Sequence, residues 1–128
     1  MDPVITNNST DGVVIWDPVF ADDTLIDAAG GTFPAGTVLG RITAGGNLTP
    51  FLPGAVDGSE VPVAVIRDEV TLAAATAVPC RPIISGRVRR DDLLDGDGDP
   101  LTQAAIDQLR DYTIIALGTA QLAELDNQ

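Results

Sequence analysis

The chain has 128 residues, of which 45% are hydrophobic, and a formal net charge of -12. A chain of this length forms one domain and buries a core without disulfides, and its apolar content argues against a disordered protein. The sequence contains no histidine, so His-ligated metal sites and Cys–His catalysis are excluded, and the negative charge argues against a nucleic-acid partner.

The first residues of the chain are mostly polar. Between residues 1 and 11 only Val4 and Ile5 are candidates for burial. Chain ends with few buried contacts are commonly mobile. We therefore predict that the chain begins with a mobile arm.

A short apolar run follows the polar stretch at residues 12–16. It is β-prone and is predicted to stop at Asp17-Pro18. It is either a core strand or an edge strand that seeks a partner sheet. Trp16, the single tryptophan, either closes one end of the core or anchors an interface. The apolar members of the run are Val13, Val14, Ile15 and Trp16.

The middle of the chain alternates short apolar runs with turns rich in Gly and Pro. Residues 19–29 have mixed signals and are predicted to form a loop. Segment 48–52 is predicted to lie at a sheet edge, because Pro50 has no backbone N–H to donate a hydrogen bond to a neighbouring strand. Segment 69–73 either pairs with the strand before it or continues that strand past a bend. The predicted extended segments are 37–43, 48–52, 61–68, 69–73 and 77–90.

One helix is predicted near the C-terminus, over residues 101–112. Asp99 is a good N-cap and Pro100 a good first helical residue. Residues 113–118 are predicted to form a last strand, and residues 119–128 a frayed turn or short helix. The apolar stripe of the helix is Leu101, Ala105 and Leu109, with Ile106 beside it.

These elements together predict a mostly-β fold. Many short strands, frequent bends and a single short helix favour a bent β-ribbon or small barrel over an α/β enzyme. Sharp corners leave strand edges, which are covered either by closure of the sheet or by neighbouring subunits.

The acidic stretch before the helix is the strongest candidate for metal binding. Asp95, Asp97 and Asp99 are separated by glycines as at the start of an EF-hand calcium loop. The sixth position of such a loop is Pro100 instead of glycine, and the twelfth is Ile106 instead of glutamate. A solvated loop that caps the helix is therefore favoured over calcium binding, and no cofactor is assigned.

Three arginines stand together at the end of segment 77–90. In a strand, Arg87 and Arg89 share one face, and Arg90 is followed by two aspartates. Surface ion pairs with these acids, each contributing roughly 0–1 kcal/mol, are one interpretation. The other is a patch for an acidic partner, or for the acids of a second copy of the chain across a subunit interface.

Motifs of catalysis, nucleotide binding and membrane insertion are absent from the sequence. It has no nucleophile elbow, phosphate-binding loop or dinucleotide fingerprint. No apolar run approaches the ~20 residues that span a bilayer, and no basic-then-apolar signal opens the chain. Neither a membrane partner nor secretion by that route is expected. Cys80, the single cysteine, is predicted to be buried and inert, and an enzyme is the least favoured class.

Several segments, taken in order, resemble the head decoration proteins of tailed phages, of the lambda type. Residues 35–43 contain a Gly-Thr-Val-Leu-Gly strand, and residues 56–66 contain an Asp-Gly turn that leads into a Pro-Val-Ala-Val strand. Residues 83–93 contain a strand that ends in Gly-x-Val before an acidic loop. The resemblance covers roughly residues 30–118.

The resemblance implies a fold and a role. The fold is a bent β-ribbon of the β-clip kind, with little helix. The role is to bind as homotrimers on the outside of the expanded phage head, where they contact the major capsid protein and stabilise the shell against packaged DNA. Such a protein is made in the host cytoplasm and ends on the virion exterior. In the family, the N-terminal arm orders on the capsid and adds a strand to a capsid-protein sheet.

Carried onto this chain, the resemblance makes residues 1–16 the capsid-binding arm and residues 17–128 a single β-rich decoration domain. The alternatives are another virion structural protein, such as a spike base or head fibre, and a calcium- or sugar-binding β-module. The possible subunit-interface residues are Arg87, Arg89 and Arg90. The capsid-binding candidates of the arm are Val4, Ile5, Val13, Val14, Ile15 and Trp16.

Overall fold

The computed structural model describes residues 14–118. The regular elements of this region are ten strands, one short 3-10 turn and one α-helix, α1 (Gln103–Arg110). Within residues 14–118, no helix has the length and apolar character needed to cross a lipid bilayer. The strands are β1 (Val14–Phe20), β2 (Asp23–Leu25), β3 (Gly31–Phe33), β4 (Val38–Arg41), β5 (Leu48–Pro50), β6 (Pro62–Val65), β7 (Val70–Leu72), β8 (Val78–Cys80), β9 (Ile83–Arg89) and β10 (Ile114–Leu117).

Eight strands form one sheet. Seven of them follow the order β1-β9-β6-β4-β5-β2-β8, and β10 pairs with β9 in parallel. The other two strands, β3 and β7, form a separate antiparallel pair. This architecture confirms the predicted mostly-β fold with one short helix near the C-terminus, while the β-clip form of the ribbon stays a prediction.

Strand β7 lies within segment 69–73 and pairs with neither of the partners that the sequence suggests. It is not paired with β6 and does not continue it. A bend at Arg67 and Asp68 turns the chain out of the main sheet, and β7 then pairs with β3, with Thr32 opposite Thr71. The prediction that this segment is extended is therefore confirmed, and the prediction that it pairs with or continues the preceding strand is wrong.

The central strands β4 and β6 are buried on both faces. Neighbouring residues of β4, Val38 and Leu39, are both fully buried and belong to two different hydrophobic clusters. Ala64 and Val65 of β6 divide between the same two clusters. Side chains alternate between the faces of a strand, so a strand covered on both faces has a continuous apolar sequence. This is why the run at residues 61–66 was recognisable as a strand.

Helix α1 covers one of these clusters with the predicted apolar stripe. Ala105, Ile106 and Leu109 are buried in the cluster that contains Val38. Leu101, just before the helix, is partly buried against the same cluster. Burial of this stripe fixes the helix to the sheet.

The start of α1 differs from the sequence prediction. The helix begins at Gln103, and its N-cap is Thr102, whose Oγ1 accepts a hydrogen bond from the N–H of Ala105 at 3.3 Å. The predicted cap, Asp99, is held in the preceding loop, because its carbonyl accepts the N–H of Asp95 at 2.9 Å. The acidic loop therefore ends before the helix begins.

Strand β1 runs further than the sequence suggests. The predicted end is Asp17-Pro18, but the strand continues to Phe20. Proline is tolerated in an edge strand or at a bulge, where no ladder hydrogen bond is lost. Strand β1 is the end strand of the main sheet, and its register with β9 shifts between Trp16 and Val19.

Two further predictions need correction. The predicted loop at residues 19–29 contains β2, which pairs with β5 and β8. Strand β5 is not at an edge, because it lies between β4 and β2. The N–H of Phe51 donates to the Val38 carbonyl of β4, so the backbone nitrogen of Pro50 is on the side of β5 that faces β2. Strand β2 pairs with β5 only at Leu48. Pro50 is therefore tolerated, because no hydrogen-bond donor is needed at position 50.

Candidate functional site

Strand β9 carries two of the predicted interface arginines, Arg87 and Arg89, and is flanked by both ends of the described chain. Strand β1 pairs with it in antiparallel fashion, with Val14 opposite Val88. Strand β10 pairs with it in parallel, with Ala116 opposite Val88 and Leu117 opposite Arg89. The chain therefore enters and leaves the described region at the same end of β9.

The arginines at this end of β9 are arranged around a core residue. Val88 is fully buried, whereas Arg87 is exposed and Arg89 is half-buried. Alternation along the strand therefore puts Arg87 and Arg89 on the face opposite Val88, as predicted. Arg90 is exposed and begins the 3-10 turn, which ends at Asp92. The three arginines thus stand at the end of β9 where the described region begins, at Val14, and where β10 ends, at Leu117.

The six capsid-binding candidates of the arm divide into two groups. Binding of either group to a capsid stays a prediction. The candidates outside the described residues are Val4, Ile5 and Val13. The candidates inside β1, in the part of that strand nearest the chain end, are Val14, Ile15 and Trp16.

Within residues 14–118, the side of β1 away from β9 has no strand partner. Pro18 and Val19 are exposed, Val19 to 46%. An open strand edge is a template for pairing with another chain, and proline and bulges are the usual means of blocking it. Pro18 and the shifted register discourage such pairing along the middle of β1.

The acidic loop before α1 brings its three aspartates together. One oxygen from each of the three carboxylates lies within 4.8 Å of the others. Asp95 already serves the loop itself, because its Oδ1 accepts the N–H of Asp97 at 2.8 Å and the N–H of Asp99 at 3.1 Å. Asp97 and Asp99 are exposed. This geometry is that of an aspartate-closed turn, and the preference for a solvated loop over calcium binding stays a prediction.

A comparison with protein families decides what kind of protein this is. The family model of the bacteriophage lambda head decoration protein D matches residues 5–114. The chain belongs to this family. No curated protein sequence matches it. The match includes β1, the arginines of β9 and α1, and it supports a capsid decoration role in the phage virion, which is a structural role.

Cys80 of this head decoration protein has no environment for nucleophilic chemistry. It is half-buried in β8, opposite Asp23 of β2, and not fully buried as the sequence predicts. Burial raises the pKa of the thiol to about 11, and the carboxylate of Asp23 also raises that pKa. Because the thiolate is the reactive form of cysteine, the raised pKa makes this thiol a poor nucleophile at neutral pH.

One surface feature, the loop between β5 and β6, was not predicted from the sequence. Its glycines and prolines predicted only a turn. The signal that was available is the absence of charge from residues 52–56, in a chain with a net charge of -12. Val56 in this loop is 96% exposed.

Proposed function

We propose that this protein is a non-enzymatic decoration protein that binds as homotrimers on the outside of the expanded phage head and stabilises it against the pressure of packaged DNA. The observation that carries the proposal is the family match over residues 5–114. The partner is the major capsid protein, and neither nucleic acid nor a membrane is a partner. The protein is made in the host cytoplasm and ends on the virion exterior.

The attachment device in this proposal is the N-terminal arm, residues 1–16. Its last three residues belong to β1, whose backbone pairs with β9. Residues 14–16 therefore act as the base that ties the arm to the decoration domain, residues 17–128. The part before Val14 adds a strand to a sheet of the capsid protein, in a β-augmentation mode. The apolar side chains available to that part are Val4, Ile5 and Val13.

Trimer formation offsets the cost of ordering the arm. Fixing the backbone of one residue costs roughly 1–2 kcal/mol, so a single arm binds weakly. Linked binding sites exceed the affinity of one site by about 10²–10⁴ when all of them engage together. If the binding sites on the capsid have the spacing of the trimer only after the head expands, all three arms can engage only on expanded heads. The trimer then binds expanded heads in preference to unexpanded ones.

The subunit contact in this proposal involves the three arginines of β9 and the 3-10 turn. Copies of a chain with a net charge of -12 repel one another, so a stable trimer needs cations where the subunits meet. Arg87 and Arg90 are exposed in the single chain, and Arg89 is half-buried beside them. Acidic side chains of the adjacent copy are their proposed partners.

Binding to phage heads tests this proposal directly. Purified protein is mixed with undecorated expanded heads and with unexpanded heads, and the particles are imaged by electron cryomicroscopy. We expect trimeric density on the exterior of expanded heads only, at three-fold positions. Density confined to one vertex or to a fibre, as for a spike base or head fibre, or no density at all, would contradict the proposal.

A further inference from the structure

One face of strand β10 is packed against the core and the other is not. Ile114 and Ala116 are buried in the hydrophobic cluster that α1 covers. Ile115 and Leu117 alternate with them along the strand, are half-buried and belong to neither hydrophobic cluster. Because side chains alternate between the faces of a strand, Ile115 and Leu117 lie on the side away from the core. Neither hydrophobic cluster of residues 14–118 covers this side of β10.

Two arginines of β9 extend the same surface. The parallel pairing puts Ile115 beside Arg87 and Leu117 beside Arg89. Directly paired residues of adjacent strands lie on the same side of a sheet. Arg87 is exposed and Arg89 is half-buried, so the surface combines apolar and cationic side chains. We refer to Arg87, Arg89, Ile115 and Leu117 together as the outer face.

The charge of the outer face is not balanced at Arg87. Arg41 and Arg81 each have a carboxylate partner within residues 14–118. No carboxylate of the same region forms an ion pair with Arg87. The acids that are nearest in sequence, Asp91 and Asp92, lie in the 3-10 turn beyond the end of β9. The partner that fits the outer face is therefore a segment with carboxylates, apolar side chains and no cation.

The residues that follow β10 have this composition. Residues 119–128 lie outside the described residues, and the frayed turn or short helix stays a prediction for them. They carry no basic residue, and the match to the decoration protein family ends before them, at residue 114. Their leucines and acids are Leu122, Glu124, Leu125 and Asp126.

This segment begins next to the outer face. Leu117 ends β10 and belongs to the outer face, and residues 118–121 separate it from Leu122. Connections of about two to five residues are enough to reverse a chain, so Glu124 can return along β10 to the level of Arg87. A short flexible link gives an effective concentration of roughly millimolar. At any lower protein concentration, the segment of the same chain is therefore favoured over a second copy.

We propose that residues 119–128 fold back over the outer face of their own chain and cover it. The leucines of the segment pack against the apolar residues of the face, and its carboxylates pair with the arginines. The covered arginines belong to the proposed subunit contact, so the segment competes with the acids of the adjacent copy. Free copies then associate weakly until their arms hold them side by side on the head. The competition rests on the proposed function, whereas the cover does not.

Nuclear Overhauser contacts between isotope-labelled methyl groups test the cover. They are sought between Ile115 and either Leu122 or Leu125. We expect these contacts in the wild-type protein, and a loss of roughly half of their intensity or more in Arg87→Glu, where the acids of the segment meet a like charge. The double variant Arg87→Glu with Glu124→Arg restores opposite charges and should recover the contacts.

The matched control is Arg110→Glu, because Arg110 is exposed on α1, which packs against the buried side of the sheet. This variant should keep the contacts. Their absence from the wild-type protein overturns the inference. Equal losses in Arg87→Glu and Arg110→Glu also overturn it, because they indicate a general effect of charge. Contacts found only between labelled and unlabelled copies in a mixed sample overturn it in favour of a second copy as the occupant.

Deletion of residues 119–128 tests the competition. Sedimentation velocity should give an about tenfold lower dissociation constant for self-association of the shorter chain, because its outer face is always available. Unchanged self-association overturns the competition, even where the methyl contacts of the full chain confirm the cover. Failure of the wild-type protein to bind phage heads refutes the proposed function, and the methyl contacts then decide the cover on their own.

Discussion

The backbone of Ser59 lies so close to Gly40 that no side chain fits between them. A Cβ atom at Gly40 would lie 2.5 Å from the carbonyl oxygen of Ser59 and 2.6 Å from its Cα. Alanine at position 40 must push the base of the β5–β6 loop away from β4. We expect Gly40→Ala to lower the free energy of unfolding by about 1–3 kcal/mol, as other overpacked substitutions do, and urea denaturation measures the change.

The control for this prediction is Gly54→Ala in the same loop. A Cβ atom at Gly54 meets nothing within 4 Å, so we expect nearly unchanged stability. If Gly40→Ala were as stable as Gly54→Ala, the close packing of the loop on β4 would not exist in solution.

Thr113 holds a left-handed backbone conformation that β-branched residues avoid, with φ at 66°. Its carbonyl accepts the N–H of Gly86 at 3.0 Å, which ties the connection between α1 and β10 to β9. The left-handed conformation costs a non-glycine residue roughly 1–2 kcal/mol, and glycine loses roughly 0.5–1 kcal/mol through backbone entropy. We expect Thr113→Gly to stabilise the protein by up to about 1 kcal/mol, measured by urea denaturation.

Thr71→Gly is the matched control for Thr113→Gly. Thr71 lies in the regular strand β7, and its Oγ1 is 3.0 Å from Oγ1 of Thr32. Glycine at this position has no strain to relieve and should destabilise the protein. Destabilisation of similar size in both variants would refute the assignment of strain to Thr113.

The ion pair between Asp23 and Arg41 makes stability depend on pH. Nη2 of Arg41 is 2.7 Å from Oδ2 of Asp23, and the hydrogen bond from Arg41 lowers the pKa of Asp23 below its ordinary value of 3.8. Because the pKa of Asp23 is lower in the folded protein than in the unfolded chain, the ion pair contributes its full stabilisation at pH values above the pKa of the unfolded chain. This stabilisation is lost as the pH falls through the pKa of the folded protein. We expect Asp23→Asn to cost up to about 1 kcal/mol at neutral pH, because the pair is partly exposed.

Urea denaturation of the wild-type protein and Asp23→Asn, at neutral pH and in strong acid, measures this effect. The difference between the two proteins should shrink in acid, where the wild-type carboxylate is protonated. A difference that stays constant over this range would show that the variant acts through packing and not through the charge of Asp23.

Cys80 should react slowly with alkylating reagents. Its pKa of about 11 replaces an ordinary value of 9.0, so at mildly alkaline pH the thiolate is about a hundredfold rarer than for an unshifted thiol. The charge of Asp23 raises this pKa and that of Arg41 lowers it. Iodoacetamide rates should therefore rise in Asp23→Asn and fall in Arg41→Gln, and changes of the same sign in both variants would contradict the electrostatic argument.

Deletion of residues 1–13 removes the part of the proposed arm (residues 1–16) that precedes Val14 and leaves β1 whole. We expect the affinity for expanded heads to fall at least about a hundredfold, since the linked contacts of a trimer are lost together, with no change in the unfolding midpoint. Deletion of residues 1–16 should also lower stability, because it removes the pairing of Val14 with Val88. Full head binding by the shorter deletion would refute the arm as the attachment device.

The parts of the fold that the sequence predicts best are those whose pattern is set by local periodicity. The stripe that includes Ile106 and Leu109 identifies α1, because a helix repeats every 3.6 residues. The continuous apolar run around Val65 identifies β6, because β6 is covered on both faces. Residues 5–114 also resemble one family closely enough to reveal the class of protein.

The parts that the sequence does not predict depend on distant partners. Strand β2 spans three residues and owes its existence to pairing with β5 and β8. Asp99 has a better capping side chain than Thr102 by composition alone, but its backbone is already engaged by Asp95. The packing of Ser59 against Gly40 joins residues that are distant in the chain, which no local pattern encodes.

Val88 pairs with Val14 on one side and with Ala116 on the other, which has a consequence for biosynthesis. The first and last described strands both dock on the same strand, so the sheet is incomplete while the ribosome still holds the C-terminal part of the nascent chain. Contacts of such long sequence separation form slowly, and strands that wait for their neighbours are exposed to misassembly with other chains. Yield of soluble protein should therefore depend on how quickly β10 leaves the ribosome relative to encounters between unfinished copies.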